Sequence, residues 1–265
     1  MRRSVGTLAY REWRTLSGSS RDGEGSMTSS VYVTGLEPGG GKSAVALGLA
    51  ELLSRRVERL GAFRPLARSN PDPIMELLRQ RYATNLPPDA LTGTDYHTAR
   101  SYLSDGRADE LVSLIVDRYR AVARECDAVV VVGTDFGQQP GDPQVEPRLP
   151  GELGLNLRLA NEFGATVLPV VDGHGRTAEE VAAAVRSGYR TVAEQRATVV
   201  AMIANQVDPD LREAAVAAGG GLPVPVYAVP EVPAVAAPTI GEVMTALHAE
   251  PVLGVDESAL TRDVL

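Results

Sequence analysis

Six short apolar runs alternate along the chain with segments whose apolar residues recur at helical spacing. The all-apolar run at 128–132 is typical of a parallel strand buried on both faces. The predicted strands are 31–34, 60–63, 128–132, 166–171, 198–204 and 224–229. The predicted helices are 44–53, a segment beginning at 74, 108–126, 153–163, 177–194, 211–218 and 239–248. This alternation predicts an α/β fold with a doubly wound, mostly parallel sheet.

Two stretches lack the pattern. Residues 92–97 are polar, and we interpret them as a loop. Residues 137–151 are rich in Pro and Gly and form a loop long enough to be functional or mobile.

The first predicted strand leads directly into a glycine-rich turn and then a helix, which is the context of a phosphate-binding loop. Glycines allow the backbone N–H groups to turn inward, and a helix N-terminus favours an anion. Lys42 is expected to reach the β- and γ-phosphates, and the Ser43 hydroxyl to bind Mg²⁺. The predicted nucleotide-binding residues here are Thr34, Gly35, Gly39, Gly40, Gly41, Lys42 and Ser43. A glycine-rich turn that binds no ligand is the alternative.

Lys42 is the only lysine among the 26 basic residues of the Lys and Arg types. Arg therefore replaces Lys wherever a general positive charge suffices. A compact ammonium suits a tight phosphate site better than the planar fork of Arg does. The position of the one lysine thus supports the phosphate loop independently of the motif.

Five residues separate Gly35 from Gly41, whereas the usual phosphate-loop pattern has four, and Leu36 takes the place of the first glycine. Glu37 occupies the position where MinD/ParA-type ATPases carry a second lysine, which disfavours that subfamily.

Bulk composition limits the partners. The net charge of −8 and the pI near 5.0 argue against a nucleic-acid or anionic-membrane surface. No apolar stretch approaches the roughly 18 residues of a membrane span. The single cysteine, Cys126, fits a cytoplasmic protein and is expected to be a buried thiol rather than a reactive one.

Ligands of such sheets bind at the carboxyl ends of the strands. Beyond Thr34 and Gly35, this rule selects Arg64, Asp135, Asp172 and Asn205.

The chain resembles the dethiobiotin-synthetase-like P-loop domain, specifically the one at the N-terminus of long bacterial phosphate acetyltransferases. The resemblance lies in 32–43 with its longer loop, in 63–66, and in the helix and strand of 156–173. Residues 204–209 resemble the base-contacting loop, and 230–243 resemble the segment before the acetyltransferase's middle domain. The resemblance implies ATP and Mg²⁺ as ligands.

Two positions depart from dethiobiotin synthetase. The strand-two lysine that contacts substrate in that family is Arg64 here. The glutamate of its Glu-Gly-Ala-Gly-Gly segment is Val132, with Asp135 downstream. These changes weigh against carboxylation of a substrate.

Three site assignments follow, each with an alternative. Asp135 is predicted to contact Mg²⁺ with Ser43, or is a solvated loop carboxylate. Arg64 is predicted to neutralise a phosphate or an acidic ligand, or forms a surface ion pair. Asn205 is predicted to contact adenine, or forms a turn.

We expect a disordered extension at 1–26, a P-loop domain at 27–250 and a tail at 251–265 that leads into a middle and catalytic region. The leading hypothesis is the Mg-ATP-binding regulatory domain of a phosphate acetyltransferase, without acyl-transfer residues of its own. A homo-oligomer and a monomer are both open alternatives. A free-standing dethiobiotin-synthetase-like ligase and an interaction module with a relic P-loop are the alternatives.

Overall fold

A computed structural model describes residues 28–68, 72–82, 86–134, 151–233, 240–249 and 260. The strands are β1 (Ser29–Gly35), β2 (Leu60–Ala67), β3 (Thr92–Asp95), β4 (Ala128–Val132), β5 (Thr166–Asp172), β6 (Met202–Val207) and β7 (Val226–Pro230). The helices are α1 (Lys42–Ser54), α2 (Pro73–Tyr82), α3 (Tyr96–Ser104), α4 (Ala108–Arg124), α5 (Glu152–Glu162), α6 (Ala178–Glu194), α7 (Arg212–Ala218) and α8 (Ile240–Ala246).

The seven strands form one sheet in the order β3-β2-β4-β1-β5-β6-β7, and every neighbouring pair is parallel. Connections from β1 run toward β2, whereas the connection from β4 runs past β1 to β5. Because such connections are right-handed, helices cover both faces of the sheet. The predicted doubly wound parallel fold is therefore confirmed. The order in which strands are added reverses between the neighbouring strands β1 and β4.

The interpretation of 92–97 as a loop is wrong. Residues 92–95 form β3, and Asp95 caps α3 by accepting a hydrogen bond from the Thr98 backbone N–H at 2.8 Å. β3 lies at the edge of the sheet, so its sequence lacks the apolar run that marks a central strand. Gly93 allows a close approach, because a Cβ there would lie 2.4 Å from the Pro65 carbonyl oxygen.

Because the sequence analysis did not predict β3, it also predicted the neighbouring strand β2 too short. β2 continues from Arg64 to Ala67 because residues 64–67 pair with β3. β6 begins later than predicted, at Met202 and not at residue 198. Val199 makes only an isolated bridge to Val167.

The core consists of the central strands and the inward faces of the helices. All residues of β4 are buried, as their apolar run predicted. Cys126 is buried, which confirms the expectation for this thiol, and burial raises its pKa to about 11. The predicted extension at 1–26 and most of the loop at 137–151 lie outside the described residues.

Candidate functional site

The glycine-rich loop lies between β1 and α1 at the carboxyl edge of the sheet. Gly39 and Gly41 have φ angles of 79° and 69°, in the left-handed region that glycine adopts without steric cost. Gly41 is the N-cap of α1, and its carbonyl accepts the N–H groups of Ala44 and Val45. The start of α1 thus follows the glycine-rich loop directly, and a helix N-terminus favours an anion.

Residues of β5 and β6 make hydrogen bonds to the loop. The Leu36 N–H donates to the Val170 carbonyl at 2.9 Å, and the Asn205 side-chain amide donates to the Gly40 carbonyl at 3.0 Å. A Cβ on Gly41 would lie 2.3 Å from Asn205 Nδ2. Gly41 thus allows a close fit between the loop and the end of β6.

An ion pair links Glu37 in the glycine-rich loop to Arg176 in the segment after β5. Arg176 donates to the Glu37 carboxylate at 2.9 Å and to the Asp172 carbonyl at 2.9 Å. Glu37 therefore has a structural role as the partner of Arg176. It lies at the position where MinD/ParA-type ATPases carry a second lysine.

Lys42, the first residue of α1, is only 7% exposed. Burial, together with the positive charge of Arg64, lowers the pKa of the Lys42 ammonium to about 7, although Glu152 opposes this effect. The pKa is lowered mainly because burial disfavours the charged form. A polyphosphate at the loop would add negative charge beside this ammonium, so the residues present fit such a ligand.

Arg64 is buried, and its Nε lies 3.0 Å from the Asp72 carboxylate. Asp72 also caps α2, because its Oδ1 accepts the backbone N–H groups of Ile74 and Met75. Arg64 therefore forms an ion pair, as its alternative assignment expected, but the pair is buried and not at the surface. A contact from Arg64 to a phosphate stays a prediction.

A carboxylate that sequence reasoning missed lies in the same cluster. Glu152, the first residue of α5, is 4% exposed, and its Oε1 accepts a hydrogen bond from the Tyr96 hydroxyl at 2.6 Å. The Arg68 guanidinium lies 5.5 Å from the centre of the Tyr96 ring. An acidic residue in the first turn of a helix is common, so the sequence carries no signal for this placement.

The exit of β4 is fixed by a buried network. Asn156 accepts hydrogen bonds from the Tyr32 hydroxyl at 2.7 Å and from the Thr134 N–H at 3.0 Å, and it donates to the Thr134 hydroxyl at 2.8 Å. A Cβ on Gly133 would lie 2.8 Å from the Val33 carbonyl oxygen. Asp135 follows this network in sequence but lies outside the described residues.

The sheet thus brings most of the predicted site together. The loop residues from Thr34 to Ser43 and the side chains of Arg64 and Asn205 all belong to its carboxyl edge. Asn205 contacts the loop itself, a role that sequence reasoning missed, and its contact with adenine stays a prediction. Asp72, Tyr96 and Glu152 are the other residues that it missed.

A comparison with protein-family models matches residues 29–239 to AAA_26, an AAA domain. The chain belongs to this family. The match covers all seven strands and the phosphate loop, and the fold is accordingly that of a P-loop α/β protein.

Two relatives carry the name phosphate acetyltransferase. The one from Synechocystis sp. is 26% identical over 193 residues, which are 70% of this chain and 26% of that protein. The one from Nitratidesulfovibrio vulgaris is 24% identical over 239 residues, which are 86% of this chain and 33% of that protein. The chain therefore spans about a quarter to a third of the length of these relatives.

Similar solved structures include FtsY from the chloroplast of Physcomitrella patens, with 18% identity and a TM-score of 0.47 over 83% of this chain and 65% of that one. FtsY from Elizabethkingia anophelis in complex with GDP shows 16% identity and a TM-score of 0.44 over 84% of this chain and 64% of that one.

The described residues contain no group of three or more His, Cys, Asp and Glu side chains that could hold a metal ion by itself. None of the helices in the described part of the chain has the length and apolar character that crossing a bilayer requires.

Proposed function

We propose that this chain is the nucleotide-binding regulatory domain of a phosphate acetyltransferase, the enzyme class that interconverts acetyl-CoA plus phosphate with acetyl phosphate plus CoA. The names and the greater lengths of the relatives support a larger protein of this class. The domain bounds 27–250, with an extension before them and a tail after them, are part of this proposal.

The observation that carries the proposal is the placement of Lys42. It is the only lysine of the chain, it is buried, and it follows Gly41 at the start of α1. Burial disfavours the charged form of an ammonium, and the lowered pKa of Lys42 reflects this. The negative charge of a bound polyphosphate would favour the charged form again.

We assign the ligand as Mg-ATP. The loop N–H groups and the Lys42 ammonium would bind the phosphates, and the Ser43 hydroxyl and Asp135 would hold Mg²⁺. Mg²⁺ would neutralise phosphate charge. Asn205 would contact adenine from the end of β6.

The binding test compares the wild type with Lys42→Ala by isothermal titration calorimetry with Mg-ATP. Loss of a charge-assisted hydrogen bond worth about 1.5–3 kcal/mol predicts a roughly 10- to 150-fold weaker Kd. Arg124→Ala is the matched control, because Arg124 is an exposed cation in the last turn of α4, at the opposite edge of the sheet. Equal affinity of the wild type and Lys42→Ala would refute the nucleotide assignment.

The regulatory role is tested on a full-length protein that contains this domain. We expect ATP to change the rate of acetyl phosphate formation, and Lys42→Ala to remove that response while leaving the rate without ATP intact. The 265-residue chain by itself should release no CoA from acetyl-CoA and phosphate. Robust CoA release by the chain alone would favour a separate enzyme instead of a regulatory domain.

A further inference from the structure

Glu152 has a buried carboxylate oxygen that no described residue satisfies. Its Oε1 accepts the Tyr96 hydroxyl, whereas Oε2 has no hydrogen-bond partner among the described residues. A buried acceptor left unpaired costs about 1–3 kcal/mol, and a charged one costs more. The described residues leave this oxygen available to a ligand of the site.

Three helix starts place this oxygen beside the phosphate loop. Lys42 begins α1, Tyr96 begins α3 and Glu152 begins α5, and each of these helices begins at the carboxyl edge of the sheet. The Glu152 carboxylate is close enough to Lys42 to raise the pKa of its ammonium against the larger effect of burial. The buried carboxylate and the phosphate-binding ammonium thus share one cluster.

A carboxylate next to the phosphates of a nucleotide repels them unless a cation lies between the two. Mg²⁺ is suited to this place, since it binds oxygen ligands and is usually held by one or two carboxylates together with substrate phosphates and waters. The described residues contain no group of three or more side chains that could hold a metal, so a metal at this place would need further oxygen ligands from the nucleotide.

We propose that Glu152 binds the Mg²⁺ of the nucleotide complex through Oε2, directly or through one water. The Tyr96 hydroxyl orients the carboxylate through Oε1. This inference rests on the proposed nucleotide site and assigns a further residue to it.

The test measures the Kd for a fluorescent ATP analogue twice, once with Mg²⁺ and once with EDTA. The variant Glu152→Gln keeps the shape of the side chain and an acceptor for Tyr96 but removes the charge. Glu162→Gln is the matched control, because Glu162 lies at the exposed end of the same helix and loses the same charge. Circular dichroism and the melting temperature check that the variants fold.

For the wild type and Glu162→Gln, we expect Mg²⁺ to tighten binding at least about tenfold. For Glu152→Gln, we expect two changes of opposite sign. The metal-free analogue should bind about two- to tenfold more tightly than to the wild type, because a repelling charge is gone, and the gain from Mg²⁺ should fall below about threefold. Mn²⁺ electron paramagnetic resonance should show correspondingly weaker retention of the metal in the ternary complex.

A purely structural role for Glu152 would weaken binding equally with and without Mg²⁺, and that result would overturn the proposal. Unchanged affinities under both conditions would also overturn it. If Glu152→Gln does not fold, Glu152→Asp serves instead, with a retained charge and a predicted partial loss of the Mg²⁺ effect. A wild type that binds no nucleotide under either condition would refute the proposed function itself.

Discussion

The side-chain amide of Asn205 donates a hydrogen bond to the Gly40 carbonyl at 3.0 Å, so the end of β6 supports the phosphate loop directly. Asn205 is 5% exposed, and Gln206 beside it has a φ of 60°, in the region that non-glycine residues rarely adopt. The register of β6 against β7 also shifts between Ala204 and Val207. Irregular backbone that positions one side chain against a binding loop is typical of a functional site.

Replacing Asn205 by Ala should therefore weaken phosphate binding as well as base binding. The loop loses its tether, and the buried Gly40 carbonyl loses its donor, a change that costs about 1–3 kcal/mol of stability. We expect the Kd values for ATP and for inorganic tripolyphosphate to rise by a similar factor, as measured by calorimetry. A loss confined to ATP would instead indicate that Asn205 acts only through adenine.

The buried pair of Arg64 and Asp72 gives a second prediction. Asp72→Asn keeps the cap of α2 but removes the charge of Asp72 from its buried pair with the Arg64 guanidinium, and breaking a buried pair costs about 3–5 kcal/mol. The control is Asp127→Asn, which breaks the exposed pair with Arg59 and should cost about 1 kcal/mol or less. Urea unfolding monitored by circular dichroism measures both. Equal losses in the two variants would contradict the buried character of the first pair.

The apolar runs predicted the sheet well because central parallel strands must be apolar on both faces, as β4 is. The edge strand β3 escaped prediction for the same reason, since its sequence of Thr, Gly and Asp resembles a turn. The start of β6 was also misplaced, because Val199 fits a strand by composition but only bridges Val167. Which part of an apolar run pairs depends on its neighbours rather than on its own residues.

The residues of the candidate site also fall into those that the sequence predicted and those that it did not. The phosphate loop could be predicted because its residues are contiguous and its chemistry requires glycines followed by a lysine. Asp72 and Glu152 come from separate parts of the sequence, and only the fold brings their charges near Lys42. In the sequence Asp72 looks like part of a turn, and Glu152 looks like an ordinary acidic residue at a helix start.

The lowered pKa of Lys42 predicts a specific pH dependence of stability. In the unfolded chain its pKa is near the ordinary value of 10.5, whereas in the folded chain it is about 7. Between these values the unfolded state binds more protons, so the contribution of Lys42 to the free energy of unfolding rises with pH. Below about pH 7 both states hold the proton, and the slope vanishes.

Urea unfolding of the wild type and of Lys42→Met at pH 6 to 9.5 measures this contribution. The stability of the wild type relative to Lys42→Met should be constant below pH 7 and rise by up to about 1.4 kcal/mol per pH unit above it. A constant difference over the whole range would show that the buried ammonium has an ordinary pKa.

The single lysine also allows a chemical test of the site. An ATP analogue with an acyl group on its terminal phosphate should transfer that group to Lys42. The Lys42 nitrogen attacks the acyl carbon, an amide forms, the bond between the acyl carbon and the phosphate oxygen breaks, ATP leaves and a proton passes to solvent. Because the pKa of Lys42 is about 7, much of this amine is unprotonated and nucleophilic at neutral pH before the ligand binds.

Mass spectrometry of digested protein should find the acyl group on Lys42, and excess ATP should suppress it, whereas labelling of the terminal amino group should not respond to ATP. Lys42→Arg should lose the side-chain label, since a guanidinium stays protonated. Labelling of Lys42 that persists in excess ATP would mean that a reactive lysine is present without a nucleotide site around it.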